Sequence, residues 1–156
     1  MEPGIYCLIF ENPAGVLEVG RLGAVAFRPG YHVYVGSALG PGGLARVGRH
    51  LRLGRNRDRR SHWHVDRLLL DPRFRLAAVV TGETGERLEC PLARAIGGDT
   101  VAGFGATDCR CGSHLAFRPG DPVDEVAAAF RAIGLVPIVV RHKNDFEKAM
   151  VTGEDD

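Results

Sequence analysis

Apolar runs of two kinds along the chain predict a mixed α+β fold. The run GIYCLIFE at residues 4–11 is apolar at successive positions, as in a central strand that is covered on both faces. The segments GVLEVGRLGAVAF and YHVYVGSA read as further antiparallel strands joined by tight turns, which could form a meander. RLAAVVTG and PIVVRH predict two more strands.

Helical periodicity separates these strands. After the GPGG turn, Leu44, Val47 and Leu51 recur at i, i+3 and i+7, which predicts a helix that begins near Gly43 or Leu44. Three more helices are predicted from caps, first-turn prolines and apolar periodicity, at SHWHVDRLLL, ERLECPLARAI and DPVDEVAAAFRAI. We therefore expect one domain, residues 1–142, with a small antiparallel or mixed β-sheet flanked by helices, and a charged tail, residues 143–156.

Charge is distributed asymmetrically along the chain. Residues 1–78 contain twelve arginines and six acidic residues, net +6, whereas residues 79–156 contain eight basic and thirteen acidic residues, net −5. Seven of the twelve arginines lie in RVGRHLRLGRNRDRR, residues 46–60. Because guanidinium groups bind phosphate with two parallel hydrogen bonds, this cluster favours a polyanionic partner. A solvated loop in an arginine-rich chain would have the same composition.

The absence of targeting signals and the arrangement of the cysteines indicate where the protein is located and whether it contains disulfides. No stretch resembles a signal peptide, and no apolar run reaches the roughly 18 residues that a membrane span needs. We therefore expect a cytoplasmic protein with no membrane partner. The four cysteines, two of them separated by one residue, do not form a secreted disulfide framework. Reduced thiols or a metal site are expected instead.

A group of side chains suited to phosphate chemistry surrounds the first helix. Tyr34 ends a strand just before it, and Tyr6 lies on a strand that can be its neighbour. Arg46, Arg49 and His50 fall at i, i+3 and i+4 on one flank of the helix. Guanidinium groups beside a titratable imidazole form an anion site. Taken singly, these residues are ordinary core tyrosines and helix-surface groups, so the hypothesis depends on their combination.

Short motifs in this region resemble those of a known family. GIY at residues 4–6, YVG at 34–36 and Arg46-Val47-x-x-His50 resemble, in the same order, the signature of GIY-YIG nuclease domains. The combination YVGSA, RHLR, HWHVD, EC and FGATDCRCGSHL is similar to a poorly characterised prokaryotic branch, usually described as a domain of unknown function. The resemblance covers roughly residues 4–118. The spacing between the tyrosines is longer than in most members, and extra residues precede Arg46.

The resemblance implies a divalent-metal-dependent DNA endonuclease that hydrolyses phosphodiester bonds, in DNA repair or processing. Tyr6 and Tyr34 would position or deprotonate the attacking water, and Arg46 would stabilise charge on the phosphate. His50 holds the helical position at which members carry a group that assists proton transfer. Since an unperturbed tyrosine has a pKa near 10, a neighbouring cation or metal would have to lower it for base catalysis.

Members of that family also use one glutamate from a later helix to hold a divalent cation. Glu89, at or just before the start of the third helix, matches best, and Glu86 is the second choice. One carboxylate with water and substrate phosphate is a normal arrangement for Mg²⁺, with Mn²⁺ as the alternative. A lone glutamate at a helix start can instead complement the helix dipole.

DNA is the expected partner, and a DNA-repair protein is a candidate second partner. The residues expected to contact DNA are Arg49, Arg52, Arg55, Arg57, Arg59, Arg60, His62 and His64. On a helix His62 and His64 point apart, so they would not chelate a metal together. A capped helix that only packs against the core is the alternative for this segment.

A second constellation of metal-ligating residue types lies further along the chain. Cys109, Cys111 and His114 form Cys-x-Cys-x-x-His, and Cys90 could complete a four-ligand Zn²⁺ site. This is not a standard zinc-knuckle spacing, and buried reduced cysteines are common. Two further hypotheses therefore stay open beside the nuclease: a non-catalytic nucleic-acid-binding or adaptor module, and a zinc-stabilised interaction protein.

Overall fold

The structure, a computed structural model, describes residues 2–56, 64–105 and 112–141, without the side chains at positions 50, 51 and 53–56. Within these parts the strands are β1 (Gly4–Asn12), β2 (Gly15–Glu18), β3 (Ala24–Phe27), β4 (Gly30–Ala38), β5 (Arg75–Glu83), β6 (Leu115–Arg118) and β7 (Ile138–Val140). The helices are α1 (Ala45–Asn56), α2 (His64–Leu70), α3 (Glu89–Ile96) and α4 (Val123–Ala132). The predicted α+β class is confirmed. The predicted tail, residues 143–156, lies outside the described residues.

Five strands form one antiparallel sheet in the order β6-β4-β1-β5-β7. The strand β1 is in the middle, as its continuous apolar sequence predicted. The strands β2 and β3 form a separate two-stranded sheet, joined by a 3₁₀ turn at Gly20–Leu22. The segment between β1 and β4 is therefore a hairpin outside the main sheet rather than part of a meander, and β1 pairs directly with β4.

Alternate side chains of β1 enter two hydrophobic clusters, one on each face of the sheet. Tyr6, Leu8 and Phe10 pack with apolar residues of α1, α2 and the hairpin. Ile5, Cys7 and Ile9 pack with apolar residues of α3 and α4. Burial of each large apolar side chain contributes roughly 1.5–3 kcal/mol, so β1 is anchored from both sides. This fixes its position against β4.

The helices α1 and α4 begin within one or two residues of the positions that the sequence predicted. The helix α1 begins at Ala45, just after the predicted Gly43 or Leu44, and Leu44 and Val47 are buried as expected. The Asp121 carboxylate accepts a hydrogen bond of 3.0 Å from the Val123 N–H at the start of α4. Among the described helices, none is long and apolar enough to cross a membrane.

Candidate functional site

The two tyrosines lie on one face of the paired strands β1 and β4. In the register Tyr6 is opposite Gly36 and Tyr34 is opposite Leu8, which makes the tyrosines diagonal neighbours. Their ring centroids are 6.4 Å apart and the rings are tilted by 49°. The prediction that Tyr6 sits on a strand beside Tyr34 is confirmed.

Two glycines of the GIY and YVG motifs allow this close packing. A Cβ atom at Gly36 would lie 2.5 Å from Tyr6 Cζ, because the phenol ring lies across the Gly36 backbone. A Cβ atom at Gly4 would lie 2.5 Å from the carbonyl oxygen of Gly82 on β5. Any side chain at either position would displace a neighbouring ring or strand.

Burial makes both phenols harder to deprotonate than an exposed tyrosine. Tyr6 is 2% exposed, and burial raises its pKa well above the ordinary value. The neighbouring Tyr34 raises the Tyr6 pKa further, whereas the charges of Arg46 and Arg49 oppose this. Burial likewise raises the pKa of Tyr34 to about 12. These hydroxyl groups are therefore hydrogen-bonding groups and not ready-made bases.

The charge of Arg46 is brought to the tyrosines by the start of α1. The strand β6 pairs with β4 only over Tyr31–Tyr34. The next residue, Val35, donates a backbone hydrogen bond of 2.8 Å to the His114 carbonyl. Further along β4, Arg46 Nη1 donates a hydrogen bond of 3.0 Å to the carbonyl of Ser37. Arg46 lowers the Tyr34 pKa and Glu89 raises it. Groups from β4, α1 and α3 thus share one electrostatic environment.

Asp66 belongs to the same environment, although the sequence did not single it out as a site residue. It is 0% exposed on α2, and its charge raises the pKa of both Tyr6 and Tyr34. The residues of α2 that are buried are Val65, Asp66, Leu68 and Leu69. The sequence signal was an acidic residue between apolar positions of HVDRLLL.

Glu89 is the first residue of α3, where the sequence predicted it. Its Oε1 atom is buried and has no hydrogen-bond partner within the described parts of the chain. A buried carboxylate oxygen without a partner is costly, and a bound cation would remove that cost. The described residues contain no group of three or more His, Cys, Asp or Glu arranged to hold a metal. Binding of Mg²⁺ or Mn²⁺ at Glu89 stays a prediction.

Cys90 and His114, two members of the predicted zinc set, lie together. Cys90 Sγ is 3.9 Å from His114 Nε2. Burial lowers the pKa of His114, and the charge of Glu89 partly offsets this. The other two members, Cys109 and Cys111, lie outside the described residues. Zinc binding stays a prediction.

His64 fixes a turn of the glycine-rich segment against α2. Its Nδ1 accepts a hydrogen bond of 2.8 Å from the Gly105 N–H. Its ring meets Phe104 edge to face at 5.4 Å, and Phe104 meets Tyr34 at 6.3 Å. Phe104 was not predicted, because this segment has no periodicity. The proposed contact of His64 with DNA remains a prediction.

The arginine cluster is only partly described. Arg49 and Arg52 lie on α1 and are half-buried, and the charge of Arg49 acts on Tyr6. The predicted site groups outside the described structure are the side chains of His50 and Arg55 and the residues Arg57, Arg59, Arg60 and His62.

The five-stranded antiparallel sheet, with helices packed on both faces, defines the protein as an α+β domain. Its candidate site is a group of buried and half-buried tyrosine, arginine and carboxylate side chains beside the β1–β4 pair. The family described as Domain of unknown function DUF123 matches residues 5–135, and the chain belongs to that family. No curated protein and no solved structure matches the chain.

Proposed function

We propose that the protein is a divalent-metal-dependent endonuclease of the GIY-YIG type that hydrolyses phosphodiester bonds in DNA, in repair or processing. One observation carries the proposal. Tyr6 and Tyr34 have ring centroids 6.4 Å apart, and the charges of both Arg46 and Glu89 act on Tyr34. These four groups come from four elements, and the motif resemblance assigns all four to one reaction.

Each group has a role that its surroundings support. The Arg46 guanidinium stabilises the charge that develops on the phosphate oxygens. Tyr6 and Tyr34, whose pKa values are raised by burial, orient the water or a phosphate oxygen through their protonated hydroxyl groups. Glu89 holds Mg²⁺ or Mn²⁺, which would supply Lewis-acid stabilisation of the leaving oxygen. His50 remains the predicted group for proton transfer.

A second function is favoured by one observation. Tyr6 is 2% exposed and burial raises the pKa of both tyrosines, so neither phenol deprotonates water readily at neutral pH. A non-catalytic nucleic-acid-binding or adaptor module would need no base. It would keep the arginines of α1 as phosphate-binding groups.

Cleavage assays with matched variants separate the two functions. Purified protein is incubated with plasmid, flap and forked DNA in Mg²⁺ or Mn²⁺. We expect nicking that falls by about 10²–10³ in Arg46→Ala and in Glu89→Gln, because each removes charge stabilisation in the transition state. Glu86→Gln is the control for Glu89, since Glu86 is exposed and lies three residues away. Arg94→Ala, exposed on α3, is the control for Arg46.

Three results would count against the nuclease. Salt-sensitive DNA binding without cutting in either metal would favour the binding module. If Glu86→Gln lost cutting and Glu89→Gln retained it, the assignment of Glu89 as the metal ligand would be wrong. Equal cutting by Arg46→Ala and the wild type, with far-UV circular dichroism unchanged, would remove the arginine from the mechanism.

A further inference from the structure

Cys90 and His114 form a pair of soft donors that the proposed cleavage reaction does not use. Their Sγ and Nε2 atoms are 3.9 Å apart. Two ligands of a tetrahedral zinc ion, at about 2.3 Å for sulfur and about 2.0 Å for nitrogen, lie about 3.5 Å from each other. A shift of a few tenths of an ångström would therefore bring both atoms into coordination distance of one ion.

Both donors are held by rigid parts of the fold. Cys90 is the second residue of α3, which is anchored by Leu92 and Ile96, 0% and 6% exposed. The His114 N–H donates a hydrogen bond of 2.8 Å to the Phe104 carbonyl. The His114 carbonyl accepts a hydrogen bond of 2.8 Å from the Val35 N–H. Because α3 fixes the backbone of Cys90 and two hydrogen bonds fix that of His114, ordering the donors for a metal costs little entropy.

One carboxylate lies beside the pair. Glu89 directly precedes Cys90 at the start of α3, and its negative charge attracts a cation to this end of the helix. Thiolate and imidazole select zinc-like ions, whereas a carboxylate with water selects Mg²⁺. The two kinds of donor are therefore suited to different metals.

We propose that Cys90 and His114 bind a thiophilic divalent cation, zinc in the first place, at a site chemically separate from the proposed Mg²⁺ ligand Glu89. The ion would tie the start of α3 to the residues that precede β6. The described part of the chain contains no group of three or more His, Cys, Asp or Glu arranged to hold a metal, so the proposal concerns Cys90 and His114 alone.

Metal content tests the pair directly. Full-length protein is loaded with Zn²⁺, dialysed against metal-free buffer and measured by mass spectrometry of the metal. We expect about one zinc per chain, and with Co²⁺ a thiolate-to-cobalt charge-transfer band. Cys90→Ser and His114→Gln should weaken binding by at least about tenfold and remove or shift that band. Both variants leave Cys109 and Cys111 intact, so a loss reports on Cys90 and His114.

Two controls guard against nonspecific effects. Cys7→Ala removes a fully buried thiol on β1 and should keep the metal. His114→Cys restores a soft donor and should keep the metal that His114→Gln loses, which a purely structural role of His114 would not predict. Far-UV circular dichroism checks that each variant is folded.

Two outcomes would overturn the proposal. If the wild-type protein retained no zinc and showed no cobalt charge-transfer band, Cys90 and His114 would form only a weak S–H···N contact. A spectrum and metal content unchanged in both Cys90→Ser and His114→Gln would place any bound zinc elsewhere. The test is independent of the nuclease, because a protein that binds zinc at this pair but cuts no DNA would contradict only the proposed function.

Discussion

Burial of the Tyr34 phenol should make the free energy of unfolding fall at alkaline pH. In the folded protein burial raises the pKa of Tyr34 to about 12, whereas tyrosine in an unfolded chain titrates near pH 10. A raised folded-state pKa means that the contribution to stability is complete below about pH 10 and is lost as the pH rises towards about 12. At pH 11 the loss is about 1 kcal/mol.

Urea unfolding of wild type and Tyr34→Phe between pH 7 and pH 11 measures this effect. The difference between their free energies of unfolding should be constant to about pH 9, and the wild type should then lose stability more steeply. Tyr31→Phe, on the same strand, is measured in parallel, because burial and the hydrogen bond to Glu11 also raise the pKa of Tyr31, and this variant shows how much of the alkaline loss belongs to that second phenol. Parallel curves for wild type and Tyr34→Phe up to pH 11 would contradict the raised pKa.

The same chemistry limits how the tyrosines act at the site. A phenol that stays protonated to high pH can donate a hydrogen bond to water or phosphate at neutral pH. It can act as a base only after it loses its own proton, and a nearby cation would have to lower its pKa for that. Arg46 acts in that direction on both Tyr6 and Tyr34, but burial has the larger effect. A bound divalent cation near Glu89 would add to the effect of Arg46.

At the scale of elements, the contact between β1 and β4 depends on the absence of a side chain at Gly36. Alanine there would place its Cβ 2.5 Å from Tyr6 Cζ, so the ring or the strand must move. Since overpacking of this kind costs about 1–3 kcal/mol, we expect Gly36→Ala to lower the free energy of urea unfolding by that amount. The displaced Tyr6 ring should also reduce any cleavage activity.

Gly40→Ala is the matched control, because a Cβ atom at Gly40 meets no atom within 4 Å. Its free energy of unfolding should stay within about 0.5 kcal/mol of the wild type. In a double variant with Tyr6→Leu the cost of Gly36→Ala should shrink, since the ring that clashes is gone. Equal stability of Gly36→Ala and Gly40→Ala would show that the strands absorb the methyl group freely.

Local patterns predicted the elements better than their arrangement. The start of α1, the start of α4 just after Asp121 and the central position of β1 followed from periodicity and local turn chemistry, which act over a few residues. The hairpin β2–β3 did not, because nothing in GVLEVGRLGAVAF says with which strand it pairs. Pairing partners are decided by packing between distant segments.

The site was predictable only where a motif marked it. Tyr6, Tyr34, Arg46 and Glu89 were identified from motif resemblance and spacing. Asp66 and Phe104 were not, although both are 0% exposed and close to the tyrosines. Burial of Asp66 arises from the packing of α2 beneath α1, and Phe104 lies in a glycine-rich segment. Neither environment is encoded by neighbouring residues.

Across the whole molecule, the uneven charge has a structural counterpart. The helices α1 and α2 pack on one face of the sheet, and α3 and α4 pack on the other. The helix α1 carries four arginines and no acidic residue, whereas α4 carries two acidic residues and one arginine. A polyanion should therefore approach the face that carries α1 and avoid the face that carries α4. An overall charge of +1 conceals this preference.

The salt dependence of DNA binding tests whether α1 faces the polyanion. The protein is titrated with duplex DNA at several NaCl concentrations in metal-free buffer, so that no cleavage occurs. We expect the logarithm of the binding constant to fall linearly with the logarithm of salt concentration, because bound arginines release counterions from phosphates. Arg52→Ala, on α1, should weaken binding and reduce the slope by about 0.9, the value for one lost phosphate contact.

Arg131→Ala removes the same charge from an exposed position on α4, and it should leave both slope and affinity nearly unchanged. Both variants change the net charge by the same amount, so a difference between them reports only where the arginine lies. If both reduced the slope equally, binding would follow total charge rather than the face of the sheet. If neither did, the arginines of α1 would be solvated groups, and the nuclease and binding-module hypotheses would both lose their phosphate-contacting surface.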